Sequence, residues 1–186
     1  SIIDLGNGIS LVNKGYDDGM VIKYSSNGKV EWAKGIGGTN EEYIKSVAET
    51  SNGGYIVGGY FESSSIDLGN GKSLTNKGYS NGMVIKYSQD GEVEWAKGIG
   101  GTYFDYIRSV AECRDGSYIV GGNFESTTIN LENGISLTNK GKGHSDGMVI
   151  KYSSNGEVEW AEGIGGTDSD YINSVAECSD GGYIIG

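Results

Sequence analysis

The chain has 186 residues, including 34 glycines and no proline, and its 14 basic and 25 acidic side chains give a formal net charge of −11. This length is sufficient for one ordinary domain with a sizeable core. The negative charge argues against binding to nucleic acid or anionic lipid, since both require basic surface patches. No apolar run approaches the length of a membrane span, so we expect no membrane insertion.

The first predicted element is a β-hairpin within Asp18–Thr39. An apolar arm, Met20–Tyr24, meets an Asn-Gly turn, and the second arm, Val30–Ile36, alternates its side chains between two faces. Glycine supplies the positive φ that such a turn needs. Nearly the same segment returns at Asn81–Thr102 and Asp146–Thr167. The chain is therefore built from repeats.

Two further strands are predicted between the first two hairpins, at Ile44–Thr50 and Tyr55–Phe61. The pair Gly58-Gly59 inside the second of them predicts a bulge or a close approach of another backbone. A long loop, Glu62–Tyr79, follows, and its sequence suits a small β-excursion of its own. Glycine is frequent throughout, so helices are not expected.

The tryptophans give the period, because Trp32, Trp95 and Trp160 are 63 and 65 residues apart. The two extra residues lie in Lys140–Gly147, which replaces Lys77–Gly82 of the preceding repeat. Four short strands per repeat, joined by short turns, predict an antiparallel meander such as a propeller blade. The predicted fold is therefore all-β, a β-propeller of four-stranded antiparallel blades with three blade equivalents per chain.

The repeat boundaries predict a half-blade at 1–39, blades at 40–102 and 103–167, and a second half-blade at 168–186. Known propeller rings contain about four to eight blades, so three are too few to close. Two chains joined head to tail would close a homodimeric ring of six blades. The alternative is that the chain, which begins without Met, is a piece of a longer single-chain propeller.

Several motifs recur in all repeats or in most of them: W-A-K-G-I-G-G-T, Y-I-x-S-V-A-E, G-x-Y-I-V-G-G and G-M-V-I-K-Y-S-x-x-G-x-V-E-W. Together they resemble the bacterial β-propeller repeats of the SBBP type over essentially the whole chain. The resemblance implies a propeller in an extracellular or cell-surface bacterial protein, and it supplies no catalytic residues. The long internal loop and the near identity of the repeats depart from that pattern, and the near identity predicts recent duplication or an engineered repeat.

The candidate binding residues are those at which the repeats differ most, in the links between predicted blades. We expect these links to lie on one rim, where they could bind a cation, a sugar or a peptide. Unconstrained drift in exposed loops is the alternative interpretation. The candidates are Asn40, Glu41, Glu42, Tyr103, Phe104, Asp105, Asp168, Ser169 and Asp170.

A second set of aromatic residues recurs once per repeat on the hairpin strands. Large aromatic side chains fill the space between splayed blades, which predicts a structural core. A sugar-stacking ring is the alternative. The set is Trp32, Trp95, Trp160, Tyr24, Tyr87 and Tyr152.

No metal or cofactor site is predicted. The acids Asp17, Asp18, Asp67 and Asp146 lie among Asn and Gly, but their spacing matches neither an EF-hand loop nor a glycine-rich nonapeptide. Aspartates of this kind mostly form turns through bonds from side chain to backbone.

The remaining reactive residues do not combine into a catalytic group. The only histidine, His144, lies in the insertion beside Lys142 and is expected to be solvated. Cys113 and Cys178 occupy equivalent positions of successive repeats, which are rarely close enough for a disulfide, so we expect two buried thiols. The pair Glu41 and Glu42 could serve a glycosidase in principle, but nothing distinguishes it from the other acids.

These observations predict a non-enzymatic scaffold or interaction surface that assembles with itself. Three alternatives stay open: a carbohydrate- or peptide-binding module that uses the links, a repeat scaffold without a ligand, and a fragment of a larger propeller enzyme.

Overall fold

The computed structural model describes residues 1–141 and 143–186. Over these residues the chain is all-β, with eighteen strands, one short 3₁₀ turn at Glu132–Gly134 and no α-helix. In chain order the strands are β1 (Ile2–Asp4), β2 (Ser10–Val12), β3 (Gly19–Tyr24), β4 (Val30–Ile36), β5 (Glu42–Glu49), β6 (Tyr55–Phe61), β7 (Ser65–Gly69), β8 (Lys72–Thr75), β9 (Asn81–Tyr87), β10 (Val93–Ile99), β11 (Asp105–Glu112), β12 (Tyr118–Phe124), β13 (Thr128–Asn130), β14 (Ser136–Thr138), β15 (Asp146–Tyr152), β16 (Val158–Ile164), β17 (Val175–Glu177) and β18 (Tyr183–Ile185). In this part of the chain no helix is long and apolar enough to cross a membrane.

Two sheets have four strands each. The first complete sheet has the order β5–β6–β9–β10, and the second complete sheet has the order β11–β12–β15–β16. All neighbouring strands pair antiparallel, which confirms the predicted four-stranded repeat. The predicted bounds of β4 and β6 are correct. β3 begins one residue earlier than predicted, and β5 begins two residues earlier and ends one residue earlier.

The remaining repeat strands form two half-sheets. The N-terminal half-sheet contains only β3 and β4, and the C-terminal half-sheet contains only β17 and β18. In the complete sheets the strand equivalent to β18 pairs with the strand equivalent to β3. Each half-sheet therefore leaves one of these strands as an open edge.

The long loop inside each repeat forms a second, outer hairpin: β1–β2, β7–β8 or β13–β14. The turn of β7–β8 uses Asn70 and Gly71, both at positive φ, as tight hairpin turns require. Ile66 and Leu74 of this hairpin are buried in one cluster with Phe61 of the first complete sheet. The outer hairpin thus extends the core and packs beside β10, the edge strand of that sheet, without pairing to it.

A β-bulge interrupts each repeat hairpin just before its tryptophan. The register shifts between Val93 and Trp95, so that Glu94 is the extra residue, and the same shift occurs in the other two hairpins. The carboxylate of Glu94 lies 3.1 Å from Nζ of the buried Lys86. The bulge therefore directs an acid toward the lysine on the neighbouring strand and directs the following tryptophan toward the next sheet.

Neighbouring sheets approach closely at glycine. A methyl group at Gly58 would lie 2.6 Å from Cγ1 of Val110, and one at Gly121 would lie 2.5 Å from Cγ1 of Val175. The close backbone approach predicted at Gly58-Gly59 is found at Gly59, where a Cβ atom would clash with the carbonyl oxygen of Tyr43. The irregularity in strand pairing falls opposite these glycines, between Ile44 and Ser46 of β5. Since glycine lacks a side chain, it lets the valine of the next sheet fill this space.

Candidate interaction surfaces

Each link between repeats ends in an acid that closes the link onto itself. The carboxylate of Glu42 accepts hydrogen bonds from the backbone N–H of Gly38, at 2.8 Å, and of Ser63, at 3.1 Å. Asp105 accepts from the N–H of Gly101 at 2.8 Å, and Asp170 accepts from that of Gly166 at 3.0 Å. The third candidate residue of each link is therefore part of the local fold.

Two of these acids are buried, contrary to the expectation that all nine candidates lie on an exposed rim. Glu42 is 1% exposed and Asp105 is 0% exposed. Asp105 also accepts bonds from the N–H and hydroxyl groups of Ser126, at 3.1 and 2.6 Å. Burial raises the pKa of Asp105, and the hydrogen bonds from Ser126 and Gly101 act against that rise. The sequence comparison missed this role because it treated each link as variable. The third position of every link is nevertheless an acid.

The other members of the first and third links are more accessible. Asn40 is exposed, and Glu41 is half-buried with its carboxylate 2.9 Å from the hydroxyl of Tyr43. That hydroxyl lies 3.0 Å from the carboxylate of Asp17 as well. The two carboxylates raise the pKa of Tyr43, because both stabilise its protonated form. The third link, Asp168–Asp170, is fully exposed.

The middle link belongs to a run of six aromatic rings. Tyr60 contacts Tyr106 at 4.4 Å between ring centroids, and Phe104 stacks on Tyr79 at 5.3 Å with an interplanar angle of 14°. Tyr43 and Tyr103 occupy the two ends of the run. Phe104 and Tyr103 are thus brought together with residues outside the links, which sequence comparison did not identify. The one sequence signal among those residues is Tyr60, since the equivalent position of the next repeat is Asn123.

Two cations lie over the same aromatic run. Nζ of Lys45 is 5.0 Å from the ring centroid of Tyr43 and 5.2 Å from that of Tyr60. The guanidinium of Arg108 is 6.0 Å from the ring centroid of Tyr106, within the run, and 5.4 Å from that of Tyr171, outside it. These distances are within the range for cation–π attraction. The positive groups therefore lie over one half of the run, at Tyr43, Tyr60 and Tyr106.

A groove of about 570 Å³ adjoins the exposed end of the aromatic run. It is lined by Tyr103, Phe104, Glu125, Thr127, Asn139 and Gly143. The amide nitrogen of Asn139 already donates to the carbonyls of Phe124 and His144, at 2.8 and 2.9 Å. The carboxylate of Glu125 already accepts one hydrogen bond from the hydroxyl of Ser145 at 3.3 Å. The groups left for a ligand are the two aromatic side chains, the hydroxyls of Tyr103 and Thr127, and the other oxygen of Glu125. This combination suits a ligand with an apolar face and polar edges.

The recurring tryptophans join one sheet to the next. The ring of Trp95 packs 5.7 Å from that of Tyr118 and 6.0 Å from that of Tyr152, and its N–H donates to the carbonyl of Ser154 at 3.2 Å. Trp32 makes the equivalent contacts with Tyr55 and Tyr87 and donates to the carbonyl of Gln89 at 3.0 Å. The half-buried Trp32 and Trp95 thus pack between sheets.

Tyr24 departs from the prediction that it belongs to that core. It is 51% exposed, whereas Tyr87 and Tyr152 at equivalent positions are each 1% exposed. The reason is that β3 has no neighbour on its open edge and no tryptophan packs on Tyr24. Trp160 contacts only Tyr183 among the aromatic rings of the described residues.

The remaining candidates are local structure. Asp18, Asp67 and Asp146 accept hydrogen bonds from the nearby backbone N–H groups of Lys14, Gly69 and Lys140, as predicted for turn residues. Within 1–141 and 143–186 no three or more His, Cys, Asp or Glu side chains are grouped to hold a metal ion.

The burial of the cysteines and the histidine can be compared with their predicted environments. Both cysteines are free thiols; Cys113 is buried as expected, whereas Cys178 is only half-buried, contrary to the expectation of two buried thiols. Burial raises the pKa of Cys113. His144 is exposed. Its predicted neighbour Lys142 lies outside the described residues.

Comparisons with known proteins show distant similarity to repeat and regulatory proteins. No family model matches the chain. An uncharacterised WD repeat-containing protein, L264 of Acanthamoeba polyphaga mimivirus, is 25% identical over 161 residues, which cover 73% of this chain and 12% of that protein. The regulatory protein FlaEY of Caulobacter vibrioides is 27% identical over 163 residues, covering 86% of this chain and 16% of that protein. The chain spans less than a fifth of either relative, and what the matches support is an all-β, repeat-type scaffold.

Proposed function

We propose that this chain is a non-enzymatic scaffold of β-propeller type that assembles with itself, two chains closing one ring of six four-stranded sheets. The observation that carries the proposal is the pair of half-sheets. The C-terminal half-sheet supplies the first two strands of a repeat, and the N-terminal half-sheet supplies the last two. Pairing β18 of one copy with β3 of another makes a sheet of the same order as the two complete ones.

The number of chains follows from the number of sheets. Each chain contributes three sheets, and rings of about four to eight are known, so two chains give a ring of ordinary size. The joint is heterologous and closes after two copies. Closure also removes both open edges, which otherwise invite pairing with unrelated chains.

The names of the two relatives support a scaffold, since one is a WD repeat-containing protein and the other a regulatory protein. The resemblance of the repeats to the SBBP type supports an extracellular or cell-surface setting. The scaffold role and the extracellular or cell-surface setting are both parts of this proposal.

Light scattering behind size exclusion, at several concentrations, tests the assembly. We expect one species of twice the 19.6 kDa chain mass. A monomer at every concentration contradicts the proposal, and so does a mass of three or more chains.

A second candidate function, carbohydrate binding, is favoured by the groove beside Tyr103 and Phe104. Saccharides present an apolar ring face, which packs on aromatic side chains, and hydroxyl groups, which bond to carboxylate and hydroxyl groups such as those of Glu125 and Thr127. We expect retention on a glycan array that is lost in Tyr103→Ala and Phe104→Ala. Tyr16→Ala, which removes an exposed tyrosine away from the groove, is the matched control. Retention on peptides with none on glycans would overturn this candidate.

A further inference from the structure

We infer the residue contacts of the joint between two copies: Trp160 of one copy packs on Tyr24 and Gly28 of the second, and Val47 of the second packs on Gly186 of the first. The inference rests on the proposed self-assembly and names its contacts. It follows from the two junctions that already exist inside the chain, at which every one of these positions has an equivalent.

The first line of evidence is the glycine under each tryptophan. A methyl group at Gly91 would lie 2.8 Å from Trp32, and one at Gly156 would lie 2.7 Å from Trp95. At the equivalent Gly28 it would meet no atom within 4 Å. Trp160 in turn has no acceptor for its indole N–H within the described chain, whereas the other two tryptophans donate to a backbone carbonyl. The carbonyl of Ser26, equivalent to those of Gln89 and Ser154, is the acceptor that the joint supplies.

The second line of evidence is a valine on the first strand of each repeat. Val110 and Val175 are 5% and 6% exposed because they pack on Gly58 and Gly121 of the preceding sheet. Val47, at the equivalent position, is 60% exposed. The glycine that would receive it is Gly186, where a methyl group would meet no atom within 4 Å. The two uncovered positions are therefore complementary.

Polar groups at the internal junctions extend the same pattern. The N–H groups of Val110 and Val175 each donate to a serine hydroxyl of the preceding repeat, Ser46 and Ser109, at 3.2 Å. By equivalence, the N–H of Val47 donates to Ser174 of the other copy. Likewise Glu112 accepts from the N–H of Ser51 at 2.7 Å, and Glu177 accepts from that of Arg114 at 2.9 Å. Glu49 is therefore placed to accept from the N–H of Ser179.

The strand register across the joint is fixed by the same comparison. In the complete sheets Ile56 lies opposite Lys86, and Ile119 lies opposite Lys151. The equivalent pair between copies is Ile184 opposite Lys23. Ile184 is 63% exposed in the single chain, whereas Ile56 and Ile119 are fully buried. A shift of one residue would turn Ile184 to the opposite face of the sheet and leave it exposed.

Disulfide trapping tests the register. In a Cys113→Thr, Cys178→Thr background, which uses the residue found at the equivalent Thr50, the pair Lys23→Cys and Ile184→Cys is introduced into one chain. Facing residues of antiparallel strands have Cα atoms about 4.5–5.5 Å apart, within disulfide range. We expect a covalent dimer on a non-reducing gel. The matched control, Ile22→Cys with Ile184→Cys, is out of register by one residue, and we expect no cross-link.

The outcomes separate this inference from the proposed function. A cross-link for the first pair and not for the control supports the inferred joint. A dimer by mass in which the first pair fails, or in which the control pair cross-links, overturns the register while the self-assembly stands. A monomer by mass overturns both.

A substitution at Tyr24 tests the tryptophan contact. Tyr24 is exposed in the single chain, so Tyr24→Ser should leave its fold intact. Anchor aromatics at interfaces dominate affinity, and we expect the dissociation constant of the dimer to rise about 30-fold or more. Val12→Ser, which alters an exposed strand residue of the outer hairpin away from the joint, should leave the constant unchanged. An unchanged constant for Tyr24→Ser, measured by dilution, would overturn the contact.

Discussion

Cγ1 of Val110 occupies the space in which a side chain of Gly58 would lie, at 2.6 Å from the position of a Cβ atom there. Gly58 belongs to the first complete sheet and Val110 to the second, so this contact determines how closely the two sheets pack. The same arrangement recurs between Gly121 and Val175. Each sheet therefore carries one half of the contact, a glycine facing the next sheet or a valine facing the preceding one.

Gly58→Ala should therefore destabilise the chain. The added methyl group overpacks the contact with Val110, and overpacking costs about 1–3 kcal/mol. Urea denaturation followed by fluorescence measures the loss of unfolding free energy. Gly166→Ala is the control, because a methyl group there would meet no atom within 4 Å. Equal stability of the two variants would contradict the close packing.

Asp105→Ala should destabilise the fold even in the absence of any ligand. The carboxylate is buried and accepts bonds from Gly101, Ser126 and the N–H of Glu125. Leaving buried donors unpaired should cost about 2–3 kcal/mol. Asp168→Ala, in the exposed third link, should change stability little. If thermal denaturation finds both variants as stable as the parent chain, Asp105 does not close its link in the manner described.

Lys86→Ala should cost more than Lys23→Ala. Nζ of Lys86 is buried, 3.1 Å from Glu94 and 3.0 Å from the carbonyl of Tyr87. Removing these bonds and the packed alkyl stem should cost about 1–2 kcal/mol, less than for a fully buried pair because Glu94 is partly exposed. Lys23, its equivalent in the N-terminal half-sheet, is partly exposed and lies 3.9 Å from Glu31. Equal losses in a dilute monomeric sample would contradict this difference.

Asp115 should make the free energy of unfolding depend on pH in the acid range. The hydroxyl and N–H of Ser117, followed by Lys151, lower the pKa of Asp115 from 3.8 to about 2. Because the folded-state value is the lower one, the stabilisation relative to Asp115→Asn is complete above pH 3.8. It should disappear as the pH falls toward 2.

An NMR titration of the Asp115 carboxyl group measures the pKa directly. Since the bonds from Ser117 are the larger cause, Ser117→Ala should raise this pKa more than Lys151→Met does. The reverse order would show that the lysine dominates.

Much of the fold could be predicted from sequence, because its signals are local. The glycine at each hairpin turn, such as Gly91 at φ 77°, is required by the turn itself. The alternation from Val93 to Ile99 specifies a strand, and the spacing of the tryptophans specifies the repeat. These features depend on residues close in the chain. Because each feature recurs in three nearly identical repeats, it can be recognised by comparing the repeats.

The tertiary structure decided what the same residues do in different surroundings. Tyr24 and Tyr87 have nearly identical sequence contexts, yet one is exposed and the other is buried, because only Tyr87 has a strand on both sides and a tryptophan packed on it. Glu42 and Asp105 lie in variable links, yet both are buried. Each accepts a hydrogen bond from a backbone N–H just beyond a strand end about 20 residues further along the chain. Burial and partners depend on contacts between distant segments, and a local pattern does not contain that information. The repeats therefore determine the shape of each sheet, while the neighbouring sheet, or its absence, determines which side chains remain available for contact.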